Sequence, residues 1–220
     1  MQMVILSLSK YDFKNKTSLS RMGLRRRSCK KMRVNKIKMT KLFIAFLFFG
    51  MVACGQSTKA DDKKQETEKG WNTFSQANYS ITYPSTWNLN QSGEMGTSFI
   101  LFSPQATQNK FRENINLLIQ DLSGKNIDLN KYTQISEEQI KTLATNSVLI
   151  ESKDVTSKSI KYHKIIYTSD QGIYHLKFEQ YYWILDEKAY ILTFTTEQVK
   201  FDAVKETGEK IMNSFILNNK

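Results

Sequence analysis

The 220-residue chain has two cysteines, Cys29 and Cys54, and none after position 54. A disulfide framework is therefore closed to the long C-terminal part, and there is no Cys-x-x-Cys spacing for a metal or a redox centre. Only two histidines occur, His163 and His175, so no His-x-x-x-His or Cys/His ligand set exists. Nine glycines in the whole chain include no phosphate-cradling loop and no Gly-x-Ser-x-Gly turn. The acidic pairs Glu137-Glu138 and Asp186-Glu187 fall in a helix start and a turn, where neighbouring side chains are expected to diverge into solvent. General acid/base work needs carboxylates that converge on one cleft. With these signatures missing, the expectation is a protein that is not an enzyme, with no cofactor and no metal.

Arginine is scarce where a nucleic-acid surface would need it. Residues 1 to 53 hold 13 Lys/Arg and one acid, Asp12, whereas residues 54 to 220 hold 19 Lys/Arg and 20 Asp/Glu. The overall charge of +11 thus belongs to the N-terminal segment, and the remainder is close to neutral with Arg112 as its one arginine. Binding a phosphate backbone calls for clustered cations on the folded part, so nucleic acid is excluded as a partner.

Lys36, Lys38 and Lys41 lead into the apolar run Leu42–Ala53, the order of an export signal. As a helix this run measures about 18 Å against a hydrocarbon core of about 30 Å, too short to span stably. Met51-Val52-Ala53-Cys54-Gly55 then resembles the lipobox of bacterial lipoproteins. The resemblance implies diacylglycerol on the Cys54 thiol, cleavage between Ala53 and Cys54, and acylation of the new amino terminus, palmitate being one such acyl group. Small residues before the cut suit an extended backbone in a protease cleft, and a deprotonated sulfur is the best nucleophile to alkylate. Two or more acyl chains, at about 0.8 kcal/mol per buried methylene, anchor firmly where one does not. The competing reading makes Leu42–Ala53 a buried helix and Cys54 a core thiol. The cationic prefix over residues 1 to 38 is longer than an export leader needs, which suggests translation starting at Met32 or Met39. A twin-arginine signal at Arg26-Arg27 is the alternative, although apolar residues do not follow that pair.

Gly55–Gly70 has no aromatic or large aliphatic residue and mixes both charges, so it is expected to remain disordered. Such a tether reaches about 20–24 Å. Asp61-Asp62 is similar to sorting signals of some lipoproteins, and a solvated linker explains the pair as well.

From Trp71 the composition changes: 20 aromatics and two prolines, Pro84 and Pro104, fall in residues 71 to 220, with no internal repeat. One domain is expected there, after a leader and signal over 1–53 and an acylated cysteine with tether over 54–70. Tyr79, Ile81 and Tyr83 alternate with Ser80 and Thr82, a half-buried strand ended by Pro84. Further strands are predicted over Ser98–Phe102, Ile115–Gln120, Val148–Asp154, Ile160–Ser169, Ile173–Leu185 and Ala189–Thr196, the last three as an antiparallel meander. Ser136-Glu137-Glu138-Gln139 reads as a capping box opening one helix. Thr195-Thr196-Glu197-Gln198 opens a second, in which Phe201, Val204, Ile211, Met212 and Phe215 recur at helical spacing. The order βββ-α-ββββ-α predicts an α+β fold, an antiparallel β-sheet with helices on its faces.

The blocks "YSITYPSTW" (Tyr79–Trp87), "ENINLLIQ" (Glu113–Gln120) and "IMNSF" (Ile211–Phe215) fall in the order seen in PsbP-like proteins, and the domain resembles that family over most of residues 71 to 217. The resemblance implies an antiparallel sheet sandwiched between α-helices. It also implies binding and accessory roles: members include a lumenal photosystem II subunit, a nuclear-transport factor that binds the Ran GTPase, envelope lipoproteins, and chaperones for secreted effectors.

Among candidate binding residues, Tyr174, Leu176, Phe178 and Tyr182 share one strand face, and Tyr181 and Trp183 point the other way. If a helix covers that second face they are core; otherwise they line an apolar groove. Tyr83 and Trp87 carry the same ambiguity. A hairpin turning at Gln171 would set His175 across from Tyr167 and place the histidines on one face, about 13 Å apart, as surface residues unable to share a metal. A hydrolase would need a polar cleft with ionisable groups converging near His163 or His175. The expectation is a bacterial cell-envelope protein, held to the membrane through acyl chains on Cys54, whose domain binds or helps fold an unidentified envelope protein. The alternative is a carrier or receptor for an amphipathic small molecule or lipid, favoured by an internal cavity lined with Tyr, Trp and Phe.

Overall fold

The computed structural model describes residues 68–105, 111–157 and 160–218. The basic leader, the apolar run, Cys54 and most of the tether lie outside the described residues. Among the described residues no helix is long and apolar enough to cross a membrane.

Among the described residues, ten strands and two α-helices follow one another in the order β1 (Trp71–Gln76), β2 (Tyr79–Pro84), β3 (Asn88–Asn90), β4 (Thr97–Phe102), β5 (Asn114–Asp121), α1 (Leu129–Leu143), β6 (Val148–Ser157), β7 (Ile160–Gln171), β8 (Tyr174–Leu185), β9 (Lys188–Glu197), α2 (Phe201–Asn213) and β10 (Ile216–Leu217). Seven strands form one antiparallel sheet in the order β3-β4-β5-β9-β8-β7-β6, and β1-β2-β10 form a smaller one. β9 lies at the centre, with every residue from Ala189 to Thr196 buried. A strand covered on both faces is free to be apolar at nearly every position, which is why β8 and β9 do not show clean alternation.

On one face Tyr132 and Ile140 of α1 pack against Ile165, Tyr167, Leu176, Phe178 and Tyr182. On the other, Phe201, Ile211 and Met212 of α2 and Tyr79, Ile81 and Tyr83 of β2 pack against Phe99, Leu117, Leu192 and Phe194. The expected α+β sandwich is therefore the observed one, with the small sheet sharing a face with α2. Ser214 clasps these two parts: its Oγ accepts from the Thr82 N–H at 2.9 Å and donates to the Thr82 carbonyl at 3.0 Å.

Three local expectations are corrected. The first helix begins at Leu129, not Ser136: the Asp128 carboxylate accepts from the Lys131 N–H at 2.7 Å and caps it. Ser136 is a buried mid-helix residue whose hydroxyl donates back to the Tyr132 carbonyl at 2.9 Å. An aspartate two turns upstream offers the same acceptor chemistry, and only the packing of Tyr132 decides between the two caps. Thr195 and Thr196 belong to β9, and α2 starts at Phe201 after a 3-10 turn over Gln198–Lys200. The β7–β8 hairpin closes on Gln171 opposite Tyr174, with Gly172 at φ +61° as its first loop residue. A two-residue loop with glycine in the left-handed region matches strand twist better than a turn centred on Gln171. His175 therefore sits across from Asp170, not Tyr167, and the two histidines lie on opposite faces of the sheet.

Candidate functional site

The α2 face of β8 carries Glu179, Tyr181 and Trp183, and across the ladder β7 adds Tyr162 and Lys164. The 13-residue α2 ends at Asn213, short of the far edge of this face, and the chain turns back through Phe215 into β10. Between the helix end, β10 and the adjoining ends of β6 and β7 a pocket of about 250 Å³ remains. Its walls include Tyr162, Tyr181, Trp183 and Phe215, with Met212 and Asn213 at the helix end and Ile160 and Ser157 from the hairpin. The rings touch in series: Tyr162 to Tyr181 at 4.7 Å between centroids, Tyr162 to Trp183 at 5.3 Å, and Trp183 to Phe215 at 5.1 Å.

Behind the aromatic walls lies a charged cluster. Lys164 Nζ is 2.7 Å from Glu179, 3.5 Å from Glu209 of α2 and 3.9 Å from Glu151 of β6. The Tyr181 hydroxyl donates to Glu179 Oε1 at 2.9 Å. Glu179 is fully buried, and its Oε2 has no hydrogen-bond partner among the described residues. Burial disfavours the Lys164 charge, but Glu179, Glu209 and Glu151 outweigh it and raise its pKa above the usual lysine value. Burial and then the Glu179 charge push the Tyr181 hydroxyl far up, so its proton stays on.

Tyr181 and Trp183, at 3% and 7% exposure, are packed under α2 and also form pocket wall. Tyr83 is buried in the core between the two sheets, and Trp87 packs partly buried against the same core. Neither lines this pocket. Sequence reasoning missed Tyr162, Phe215, Lys164 and Glu179. Tyr162 alternates in phase with Lys164 and was findable once the β7–β8 register was known.

A second constellation occupies the α1 face. Asp154 pairs across β6–β7 with His163, whose Nδ1 lies 2.7 Å from Asp154 Oδ1 and whose Nε2 lies 2.8 Å from the Ser152 hydroxyl. Distances of this kind align a serine nucleophile, a base and an orienting carboxylate in hydrolases. Here the Ser152 hydroxyl also reaches Glu137 of α1 in a short hydrogen bond, so its one proton is shared between two possible acceptors, the Glu137 carboxylate and His163 Nε2. The set ties α1 to the hairpin. His163 is accordingly not a surface residue, its side chain being 12% exposed, and Glu137 turns inward rather than into solvent. His175 is a surface residue at 77%, with Nδ1 2.6 Å from Asp170. Among the described residues no group of three or more His, Cys, Asp or Glu side chains could hold a metal ion.

No protein-family model matches the chain, and no curated protein matches its sequence. Its fold is nonetheless shared by solved structures. A cyanobacterial PsbP from Synechocystis sp. PCC 6803 aligns over 68% of this chain and 93% of its own, at 16% identity and a TM-score of 0.52. LpqN, described as involved in cell envelope biogenesis of Mycobacterium tuberculosis, aligns over 68% and 92% at 11% identity and a TM-score of 0.55. A Pseudomonas aeruginosa protein of unknown function, described as a putative regulator, aligns over 68% and 99% at 12% identity and a TM-score of 0.51. At such identities the likeness speaks for the fold: α+β and PsbP-like.

Proposed function

We propose that this PsbP-like domain is a non-catalytic binding module of a lipid-anchored cell-envelope protein, and that the pocket beside the end of α2 receives one side chain of a protein partner. The observation that carries the reading is the pocket itself: aromatic rings of Tyr162, Tyr181, Trp183 and Phe215 on a rigid sheet and its flanking turn. Its size favours a side chain over a whole ligand. At about 250 Å³ it is smaller than the roughly 300–1,000 Å³ of sites that engulf small molecules, and it suits the buried anchor of a protein interface. The aromatic lining also supports a second reading, a carrier that holds the tail of an amphipathic molecule. Envelope placement is supported by the lipobox-like stretch Met51–Gly55 before a polar tether, and by the description of LpqN.

The test uses the full-length protein in intact envelopes, crosslinked and then purified. The expected result is one recurrent partner protein, lost when Ser157→Trp fills the pocket mouth, together with acyl chains on Cys54 that Cys54→Ser abolishes. A bound lipid with no protein partner would favour the carrier. An unmodified thiol at Cys54 would overturn the anchor.

A further inference from the structure

The pocket borders a sheet edge. In the order β1-β2-β10, β10 is the outer strand of the small sheet, and its residues Ile216 and Leu217 form one wall of the pocket. In antiparallel pairing only alternate residues bond to a given neighbouring strand. Along the β10 side of β2 the bonded positions run two residues apart: the Asn218 N–H donates to the Asn78 carbonyl at 2.9 Å, Ile216 lies opposite Ser80, and the Ser214 hydroxyl holds both the N–H and the carbonyl of Thr82. Leu217, opposite Tyr79, falls between them. Its N–H and C=O therefore point away from β2, and among the described residues neither meets a backbone partner.

The described walls come from β6, β7, β8, the end of α2 and the stretch Phe215–Leu217, and none from β2, so the pocket lies on the open side of β10. The Leu217 side chain is buried on the face of the small sheet that meets Trp183 and Phe215. A residue set opposite Leu217 on an added antiparallel strand exchanges two hydrogen bonds with it and carries its own side chain on that same face, about 4.5–5.5 Å away between Cβ atoms. Such a side chain enters the pocket. Charge in the surroundings is balanced: Glu151, Glu179 and Glu209 are matched by Lys153, Lys164 and Lys205, and the last carbonyls of α2 accept from the Ser214 and Phe215 N–H groups. A charged head would lose its water there and find no counter-charge.

Resting on the reading of this pocket as a partner site, we infer that the partner docks as an extended segment: its backbone adds a fourth strand to the small sheet, antiparallel to β10, and its residue opposite Leu217 places a large apolar side chain in the pocket. Backbone bonds then supply affinity and the pocket selects the side chain. Because β10 has only two residues, the recognised stretch is short and that one side chain carries the selection. A helical partner has its backbone groups satisfied within itself, and an alkyl tail has none, so neither answers the Leu217 N–H and C=O.

The experiment titrates probes onto full-length protein in lipid nanodiscs. Binding is read from the 19F resonance of 5-fluorotryptophan at Trp183, assigned with Trp183→Phe, against empty nanodiscs. The parent probe is the capped peptide acetyl-Thr-Thr-Leu-Thr-Thr-amide. One variant is N-methylated at leucine, which removes the N–H that meets the Leu217 carbonyl, and a control is N-methylated at the following threonine, whose N–H faces away from β10. Two more replace leucine by lysine or glutamate, and 3-methyl-1-butanol supplies an alkyl group of leucine's size with no backbone. The parent and the threonine-methylated control are expected to bind about tenfold more tightly than the other four, the loss that follows from one missing hydrogen bond or one buried unmatched charge. The parent is also expected to slow hydrogen exchange of the Leu217 amide, which the alcohol leaves unchanged. If the two methylated peptides bind alike, or exchange at Leu217 does not move, strand addition is overturned and the pocket remains a binding site. Lysine or glutamate binding as tightly as leucine overturns the apolar anchor. The alcohol binding as tightly as the parent overturns the extended segment in favour of a carrier. Failure of every probe to bind overturns the pocket reading itself.

Discussion

Gly208→Ala sets two forces of opposite sign against each other at the contact between α2 and the central strand. In a helix interior alanine is favoured over glycine by about 1 kcal/mol, so an unobstructed site would gain that stability. Gly208 is buried against the ring of Phe194, and a Cβ there would come within 2.6 Å of Cζ and 2.8 Å of Cδ1, and closer still to Cε1. Phe194 is 1% exposed in β9, with Phe201 at 6.1 Å between ring centroids, so the ring has little room to swing away. Overpacking of this kind costs about 1–3 kcal/mol. Three ring atoms inside 3 Å argue for the upper part of that range, leaving a net loss of about 1–2 kcal/mol.

For a domain of this size such a loss lowers Tm by about 2–8 °C. Urea unfolding followed by circular dichroism measures it. Phe194→Leu removes Cε1 and Cζ, two of the three ring atoms in the way, and on its own is destabilising through the cavity it leaves. The double variant Gly208→Ala/Phe194→Leu is therefore expected to be more stable than the sum of the single changes, by about 1 kcal/mol or more. A Gly208→Ala protein as stable as the parent, or more so, would refute the close packing of α2 on β9.

Two more perturbations probe the charged groups. Lys164→Met leaves Glu179 buried without its ion-pair partner and is expected to cost about 3–5 kcal/mol, whereas Lys164→Met/Glu179→Leu should recover most of the loss in the same urea assay. Acid should also destabilise the fold: hydrogen bonds from Lys161 and then His163 hold the Asp154 pKa below its usual value. A depressed carboxylate contributes stability that is present above its unfolded pKa, near about 3.9, and is lost as pH falls through the folded value. Thermal melts between pH 6 and pH 2 should therefore show a shallower decline for Asp154→Asn than for the parent, and parallel curves would contradict the assignment.

Element type was readable because it depends on short-range periodicity. Tyr79, Ile81 and Tyr83 alternate and form β2; Phe201, Ile211 and Met212 recur at helical spacing and form the buried side of α2. Boundaries were less readable, since Asp128 and Ser136 both present cap chemistry and the choice was made by Tyr132 packing on Tyr182 at 5.7 Å. The two- and three-residue strands β10 and β3 went unseen because each exists only through its pairing partner, and six-residue β1 because it is mostly exposed and shows no apolar alternation.

Local composition and spacing were enough to indicate a sheet covered by helices on both faces, because strand alternation and helical spacing reside in neighbouring residues. The sites were settled by long-range contact. A β7–β8 register three residues away from the expected one carried His163 and His175 to opposite faces, and the β6–β7 register set Asp154 across from His163. The pocket joins Tyr162, Tyr181 and Phe215 from three separate elements where α2 stops short. Meetings of that kind follow from strand register and helix length together, and no window of sequence contains both.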